Sequence, residues 1–421
     1  MPSLALLIAA ISLAIWLYLF LANGKFWSLH AFDDDGAANP PPAAWPAVTA
    51  IIPARNEAET IAETIASLTR QDYAGKFSIV VVDDHSEDAT AKVAQESARA
   101  NRADSREAAK VTILNAPTLQ PGWTGKLSAL NAGVVYATGK SAAKREGAVS
   151  AVPQSDAVHE AFGPASAPAY FWFTDADIVH APDTLTRLVS RAEKNNLDLT
   201  SLMVLLRAQT LPERFLIPPF LFFFLMLYPP AKIANPSSGV AGAAGGCILL
   251  RRDVLDRIGG LAAIRGEVID DCALARAVKE SAVVDGVKKA HIWMGLTRKS
   301  RSLRAYAGSA EIRDMIARTA FTQLRYSTLL LIGTLLGLAI AYVAPTALLF
   351  AHDTLTRVIA LATWLLMSLL FLPTVRFYRI STHWAATLPV AAAFYAAATT
   401  LSAIRYWTNR GAQWKGRSQA P

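Results

Sequence analysis

The sequence predicts an α/β domain with a mostly parallel central sheet, and it predicts transmembrane helices on the N-terminal and C-terminal sides of that domain. Apolar runs typical of buried strands lie at 48–53, 77–82 and 170–173, and helical spacing of apolar residues follows the first two. Such alternation is typical of a parallel sheet. Each run ends in a polar cluster, and ligands of open α/β sheets bind beyond the carboxyl ends of the strands.

The apolar content indicates a membrane protein. Hydrophobic residues make up 53% of the 421 residues, which exceeds the usual composition of soluble domains. Residues 3–22 form a nearly uninterrupted apolar run, long enough to cross a hydrocarbon core of about 30 Å. No basic segment precedes this run, and the residues after it make a poor cleavage site. We therefore predict a retained anchor, residues 1–24, and not a signal peptide.

Further apolar runs follow the predicted domain, at 327–350, 358–373 and 384–404. They predict membrane segments within residues 326–404 of a multi-pass protein. The uncharged N-terminus and the arginines between the last two runs favour a cytoplasmic domain. Four alternating spans would place the basic tail, residues 405–421, outside, against the positive-inside rule. Either the 358–373 run or the last one is therefore predicted to be re-entrant or interfacial.

Charge and cysteine content narrow the possible partners. The net charge of +8 comes from dispersed basic residues that concentrate near the apolar runs. This pattern favours anionic lipid headgroups, and we predict no nucleic-acid partner. Cys247 and Cys272 are the two cysteines, and their spacing matches neither a disulfide framework nor a zinc site. We expect both to be buried thiols.

The domain itself is predicted to span residues 48–325. Residues 25–47, with three consecutive aspartates and several prolines, predict a linker after the anchor. Residues 139–169 are rich in small residues with mixed charges, and they predict a flexible surface insertion.

Residues 213–230 contain an intensely apolar run interrupted by two prolines. The run is too short for an ordinary span. We predict an interfacial helix that dips into the surface of the bilayer, and a core helix of the domain is the alternative. In an interfacial helix, Phe222 and Phe223 are candidate contacts to a lipid.

Two pairs of acidic residues follow predicted strands. Asp175 and Asp177 come after the third strand, and carboxylates at this spacing can approach a divalent cation together. Alone the motif is weak, because the same spacing is common in turns. Asp83 and Asp84 end the second strand, where they can accept hydrogen bonds from a ligand or cap a helix.

Together with three further motifs, these residues make the chain resemble the family 2 glycosyltransferases, which have a GT-A fold. The resemblance covers roughly residues 47–325, and its motifs lie in this order at 53–57, 82–90, 125–133, 174–177 and 269–271. It implies a nucleotide-sugar donor and a transferase that inverts the anomeric carbon without a covalent intermediate.

More narrowly, the chain is similar to the hopene-associated glycosyltransferases of bacterial hopanoid gene clusters, and it is also similar to ceramide glucosyltransferases. The closer similarity rests on residues 122–126, 199–204, 244–247 and 269–275. It implies a lipid acceptor and a bacterial inner membrane, with the catalytic domain facing the cytoplasm. A hopanoid hydroxyl is the favoured acceptor and a UDP-sugar the favoured donor. Polyprenyl phosphate, a ceramide-like or diacylglycerol-type lipid, and a non-catalytic membrane scaffold are the alternatives.

The resemblance implies a donor site at the strand ends. Its nucleotide-sugar contacts are Pro53, Ala54, Arg55, Glu57, Asp83, Asp84, Lys126, Asp175 and Arg325. Asp175 and Asp177 would hold Mg²⁺ or Mn²⁺ against the diphosphate, where a cation offsets the charge that builds on the leaving oxygen. Lys126, in a turn that begins with a glycine, would add a fixed positive charge.

On the acceptor side, the resemblance implies that Asp271 is the general base, supported by Asp270. Adjacent carboxylates diverge, so one can face the acceptor hydroxyl while the other caps the following helix. Phe222 and Phe223 of the predicted interfacial helix are candidate contacts to the lipid acceptor. Gly245 and Gly246, which belong to one of the shared motifs, are further acceptor candidates.

The chain departs from its relatives near the predicted membrane side. Processive and ceramide-type members carry a Gln/Arg-x-x-Arg-Trp element, whereas this chain reads Thr-Gln-Leu-Arg-Tyr at 322–326. Arg325 can still bind a phosphate through its planar guanidinium group. Thr322 and Tyr326 differ from the motif, so the motif does not predict which residues contact the acceptor here.

Overall fold

The computed structural model describes residues 3–34, 39–104, 109–139, 167–281 and 290–408, with short pieces at 283–284, 287–288, 413–414 and 417–418. The predicted insertion at 139–169 lies almost entirely outside the described residues. So does most of the predicted tail at 405–421.

A mixed sheet of eight strands forms the centre of the domain. The strands are β1 (Val48–Ala54), β2 (Phe77–Asp83), β3 (Lys110–Asn115), β4 (Tyr170–Phe173), β5 (Ile178–Val179), β6 (Leu199–Leu205), β7 (Ile248–Arg251) and, after a separate hairpin of β8 (Val283–Val284) and β9 (Val287–Lys288), β10 (Ile292–Ser302). Their spatial order is β3-β2-β1-β4-β7-β6-β10-β5. A second small hairpin pairs β11 (Gln413–Trp414) with β12 (Arg417–Ser418).

The first four strands are parallel, and so are β6 and β10, whereas β7 and β5 run antiparallel to their neighbours. The prediction of an α/β fold with a mostly parallel sheet is confirmed. Ala54 lies opposite Asp83, and Ile51 lies opposite Phe173. The polar residues that follow β1, β2 and β4 therefore meet at one edge of the sheet.

Helices cover the sheet, which explains why β1 is buried along its whole length. The helices of the domain are α2 (Ile61–Thr69), α3 (Thr90–Asp104), α4 (Gly125–Thr138), α5 (Thr184–Lys194), α6 (Leu211–Leu227), α7 (Pro230–Ala234), α8 (Arg252–Arg257), α9 (Asp270–Ser281) and α10 (Ser309–Gln323), with a 3₁₀ turn at Leu261–Ile264. Helix α4 packs on β1 and β2. A Cβ atom on Gly133 would lie 2.5 Å from Ile51 Cγ2, so this approach requires glycine.

Within the described residues, five helical segments are long and apolar enough to cross a membrane, judged by length and composition. They are α1 (Leu4–Leu21), the α6–α7 region (Leu211–Ala234), Thr328–Phe350, Thr354–Phe377 and Thr382–Trp407. The third comprises α11 (Thr328–Leu338), a π turn (Ala339–Val343), α12 (Ala344–Ala347) and a 3₁₀ turn (Leu348–Phe350). The fourth is α13, and the fifth joins a 3₁₀ turn (Thr382–Thr387) to α14 (Leu388–Trp407).

The predicted 358–373 run is thus part of a longer helix, α13, of 24 residues. Helix α1 packs on α13 and on the π turn. Trp16 Nε1 donates to the carbonyl of Ala341 at 2.7 Å, because a π turn leaves a carbonyl free of the regular helical ladder. The N-terminal and C-terminal apolar helices therefore form one packed group.

The segment predicted as an interfacial helix at 213–230 is largely buried among other helices in the structure. Helix α6 joins this apolar group, and Phe222 is 0% exposed. Its ring contacts Trp16, Phe26 and Phe371 at centroid distances of 6.4, 5.2 and 5.3 Å. Phe223 is half-buried against two tyrosines of the C-terminal segments. The aromatic density serves packing between helices, and Phe222 has no surface with which to contact a lipid.

The predicted linker at 25–47 is attached to the domain. Asp34 is buried and accepts from Arg187 Nε at 3.1 Å and from Arg191 Nη2 at 2.6 Å, both on α5. A buried carboxylate between two guanidinium groups makes strong hydrogen bonds, so Asp34 attaches this part of the linker to α5.

Candidate active site

The residues after β1 and β2 form one wall of the site. Arg55 is buried below the loop that follows β2, and its guanidinium donates to the carbonyls of Asp84 (2.7 Å) and His85 (2.8 Å) and pairs with Glu87 (3.0 Å). These contacts hold the loop in its conformation. The sequence predicted a nucleotide contact for Arg55 and did not predict this structural role.

The other predicted residues of this wall differ in their surroundings. Asp83 accepts from the backbone N–H of Ser86 at 3.2 Å and from its hydroxyl at 2.5 Å, so it closes the turn after β2. Asp84 and Ala54 are buried, whereas Pro53 lines the cleft described below. Glu57 is half-buried, and its Oε2 accepts from Thr60 at 3.3 Å.

Lys126 lies at the centre of the cleft. The side chain of Thr124 caps α4 by accepting from the N–H of Leu127, and this places Lys126 in the first turn. Its Nζ is 3.0 Å from Asp175 Oδ1 and 3.2 Å from Asp270 Oδ2. Burial alone would lower the pKa of Lys126, but the nearby carboxylates raise it above its ordinary value. The lysine is therefore a permanent cation between two acidic pairs.

The first acidic pair follows β4. Asp175 contacts Lys126, while Asp177 Oδ2 accepts from the hydroxyl of Ser302 at 2.9 Å. Burial, followed by repulsion from Asp175, raises the pKa of Asp177. Two carboxylate oxygens that repel each other fit a hard divalent cation, which would relieve the repulsion. No group of three or more metal-binding side chains occurs among the described residues, so further ligands would have to come from the substrate or water.

The second pair lies in the first turn of α9. Asp270 faces Lys126, and Asp271 accepts from Gly245 N–H (2.9 Å, Oδ2) and from Cys272 N–H (2.7 Å, Oδ1). The expected divergence of the two carboxylates is therefore observed. Burial, followed by repulsion from Asp270, raises the pKa of Asp271 to about 6. A carboxylate with that pKa can accept a proton near neutral pH.

The two candidate glycines have different positions. Gly245 lines the cleft, and a Cβ atom there would lie 3.3 Å from Asp271 Oδ2 and 3.4 Å from Lys126 Nζ. At Gly246 the added atom would instead meet Val204 and Ile178. Gly246 thus packs against the sheet, and only Gly245 is placed beside the reactive groups.

A hydrogen-bonded chain joins the two halves of the site. Thr174 Oγ1 donates to the Gly246 carbonyl (2.9 Å) and lies 2.8 Å from His180 Nε2. His180 Nδ1 lies 2.9 Å from the hydroxyl of Ser300. Because the single proton of Thr174 goes to the carbonyl, His180 carries its proton on Nε2 and accepts from Ser300. Burial lowers the pKa of His180 to about 3, so the ring is neutral.

Two arginines near the site were missed in the sequence. Arg304 follows β10 and affects Asp177 electrostatically, and Arg318 on α10 interacts with Asp175 and Asp270 in the same way. Neither lies in one of the motifs, so only tertiary structure brings them to the site. Predicted Arg325 is exposed in a left-handed turn after α10, and the polar contacts around Lys126 in the described part of the chain do not include it.

The cleft contains about 340 Å³ of space, part of which is open solvent. It is lined by Lys126, Asp175, Asp270 and Asp271 and by apolar side chains such as Leu261 and Ile264. The sheet is mostly parallel, and acidic loops at its strand ends surround the side chain of Lys126. This arrangement is that of a GT-A type site for a nucleotide-sugar transferase.

The chain belongs to the family described as glycosyltransferase like family 2, whose model matches residues 46–290, more than half of the chain. As a member of this family, the protein is a glycosyltransferase that uses a nucleotide-sugar donor.

The fold is similar to that of a mannosyltransferase from Pyrobaculum calidifontis solved with GDP-Man and Mn²⁺. The TM-score is 0.55 at 19% identity, over 97% of this chain and all of the other. A short stretch of 43 residues is 54% identical to an N-acetylglucosaminyltransferase of Mesorhizobium japonicum. That match spans a tenth of each protein, and it carries no information on the rest of either chain.

Proposed function

We propose that this protein is a membrane-bound, inverting glycosyltransferase that moves a sugar from a UDP-sugar to the hydroxyl group of a lipid, with a hopanoid as the acceptor. The observation that carries the proposal is the position of Asp271. Its carboxylate lies in the cleft beside Gly245, close to Lys126, and its pKa is raised to about 6.

On the donor side, Asp175 and Asp177 would hold Mg²⁺ or Mn²⁺, and Pro53 and the loop shaped by Arg55 would face the nucleotide. A bound divalent cation supplies positive charge to the leaving diphosphate. Lys126 adds a second positive charge that needs no reorganisation, because Asp175 and Asp270 already hold it in place. The solved mannosyltransferase with GDP-Man and Mn²⁺ supports a cation in this fold.

On the acceptor side, Asp271 would take the proton of the lipid hydroxyl while the oxygen of that hydroxyl attacks the anomeric carbon. The bond from that carbon to the diphosphate breaks at the same time, and the nucleotide diphosphate leaves with the bonding electrons. Hydrogen bonds from Gly245 and Cys272 hold the carboxylate. Attack from the face opposite the leaving group inverts the anomeric configuration.

Contacts between the site and the apolar helices support a lipid acceptor. Buried Glu213, in the first turn of α6, accepts from the N–H of Tyr306 at 3.1 Å. At the other end of α6 the ring of Tyr228 packs on Gly242, three residues before Gly245. A membrane-type helix thus contacts the loop after β10 and the segment that leads to Gly245. We further propose a bacterial inner membrane with the domain on the cytoplasmic side.

The proposal can be tested in a bacterial host that makes hopanoids. Expression of the chain should add a sugar to a lipid, detected by mass spectrometry of lipid extracts, whereas the matched variant Asp271→Asn should not. Purified protein should then transfer the same sugar from its UDP-linked form. A glycosylated lipid of another class would replace the hopanoid assignment, and absence of any glycosylated lipid with folded protein would refute the lipid acceptor.

A further inference from the structure

Arg304 lies in a short loop that is anchored at both ends. On one side, Ser302 Oγ donates to Asp177 Oδ2 at 2.9 Å. On the other side, the N–H of Tyr306 donates to Glu213 Oε1 at 3.1 Å. Arg304, whose side chain is exposed, therefore lies between the acidic loop after β4 and the first turn of α6.

Arg318 approaches the same place from α10. The Tyr306 ring connects the two arginines: its centroid is 5.7 Å from Arg304 Cζ, and its hydroxyl contacts Met315 Sδ at 2.9 Å. Met315 and Arg318 are three residues apart on α10 and therefore share one face of the helix. Arg318 thus lies on the face of α10 that contacts Tyr306, and its charge interacts with those of Arg304 and Tyr306.

Neither of these two guanidinium groups forms an ion pair with a carboxylate within the part of the chain that the structure describes. This distinguishes them from Arg187 and Arg191, whose guanidinium groups both bind Asp34. Burial lowers the pKa of Arg318, and repulsion from Arg304 lowers it further, although Asp270 and Asp175 act in the opposite direction. Two like charges at one place are stabilised when an anion binds between them.

We propose that Arg304 and Arg318 form a phosphate-binding site next to the acidic loop that follows β4. Each guanidinium group presents parallel donors that match two oxygens of a phosphate. The phosphate comes either from the diphosphate of the donor or from a phosphorylated lipid acceptor. This inference rests on the proposed function, because it concerns the substrates of the same cleft.

The test measures ligand binding to the full-length protein in detergent micelles with Mn²⁺, so that it does not depend on transfer. UDP is compared with uridine, and farnesyl phosphate is compared with farnesol. The variants are Arg304→Gln and Arg318→Gln. The matched controls are Arg301→Gln, which removes an exposed charge near the end of β10, and Arg313→Gln, which removes a charge on α10.

Each glutamine variant should weaken binding of the phosphate probe about tenfold, since a charged hydrogen-bonded pair is lost. Binding of the probe without phosphate should not change, and the controls should match the unmodified protein. Lysine variants at the two positions keep the charge without the planar fork, and they should lose only part of the affinity. They also test the proposal if a glutamine variant does not fold.

A change confined to UDP assigns the site to the donor, and a change confined to farnesyl phosphate assigns it to a phosphorylated acceptor. Equal loss for both probes also supports the site. Affinities for both phosphate probes that remain within twofold of the controls would overturn the proposal. If no lipid is glycosylated in the host, the proposed function fails, whereas the phosphate site is judged on the binding data alone.

Discussion

The two acidic pairs on either side of Lys126 are similar in sequence and different in structure. In each pair one carboxylate binds the lysine: Asp175 at 3.0 Å and Asp270 at 3.2 Å. The other member is held by neutral donors. Asp177 accepts from the hydroxyl of Ser302, and Asp271 accepts from two backbone N–H groups.

This difference follows from the local structure of each pair. The first pair lies in a loop after a strand, where both carboxylates can turn toward one cation. The second pair occupies the first turn of α9, where backbone N–H groups point toward a carboxylate. One lysine thus fixes one member of each pair. For the second member we propose proton transfer by Asp271 and, together with Asp175, cation binding by Asp177.

The largest effect is expected from Asp271→Asn. The amide keeps the shape of the side chain but cannot accept the proton, so transfer should fall about a hundredfold or more. Calorimetry should show unchanged UDP binding. The matched variant Asp270→Asn should retain more activity. An active Asp271→Asn protein beside an inactive Asp270→Asn protein would reverse the assignment of the base.

Removal of divalent cations should abolish transfer almost as completely. If Asp175 and Asp177 hold a cation against the diphosphate, EDTA should stop turnover of the nucleotide sugar, and Mn²⁺ or Mg²⁺ should restore it. Full activity in the presence of EDTA would show that Lys126 and the arginines suffice without a cation.

The pH dependence compares the two neighbours of Asp271 directly. Transfer requires the deprotonated carboxylate, so the rate should fall as the pH drops through about 6. Asp270 raises and Lys126 lowers the pKa of Asp271. The midpoint should therefore move to lower pH in Asp270→Asn and to higher pH in Lys126→Met. Midpoints that stay at the same pH in both variants would show that another group controls the profile.

A smaller effect is expected at His180, which connects the two halves of the site through Thr174. His180→Leu leaves the hydroxyls of Thr174 and Ser300 without this partner, at a cost of about 1–3 kcal/mol in the free energy of unfolding. His180→Gln retains a side-chain N–H donor and should be closer to the unmodified protein in thermal unfolding. Equal stability of the two variants would indicate that the ring serves only to fill space.

The sequence predicted much of the fold because its signals are local. Apolar runs of strand length between helical segments indicated the sheet, and parallel strands bring their carboxyl ends together, as the alignment of Ala54 with Asp83 shows. The end of α1 at Leu21 and the three C-terminal apolar segments were also predictable, because each segment is a continuous apolar run in the sequence.

Helix α6 shows where local signals fail. Its apolar, aromatic sequence is compatible with a membrane surface and with a packed core, and the two cases differ only in what lies beside it. The rings of Trp16, Phe26 and Phe371 bury Phe222, and they lie 149 to 206 residues away in the chain.

By itself the sequence determined which residue types reach the edge of the sheet, because strand direction and the order of the motifs are encoded within short segments. Only the tertiary structure decided how these residues pair: that Lys126 binds Asp175 and Asp270, that Gly245 holds Asp271, and that Arg304 lies beside the ring of Tyr306. The physical reason is that electrostatic and hydrogen-bonding contacts depend on distances of a few ångströms between groups far apart in the chain, and these distances are set when the helices pack on the sheet.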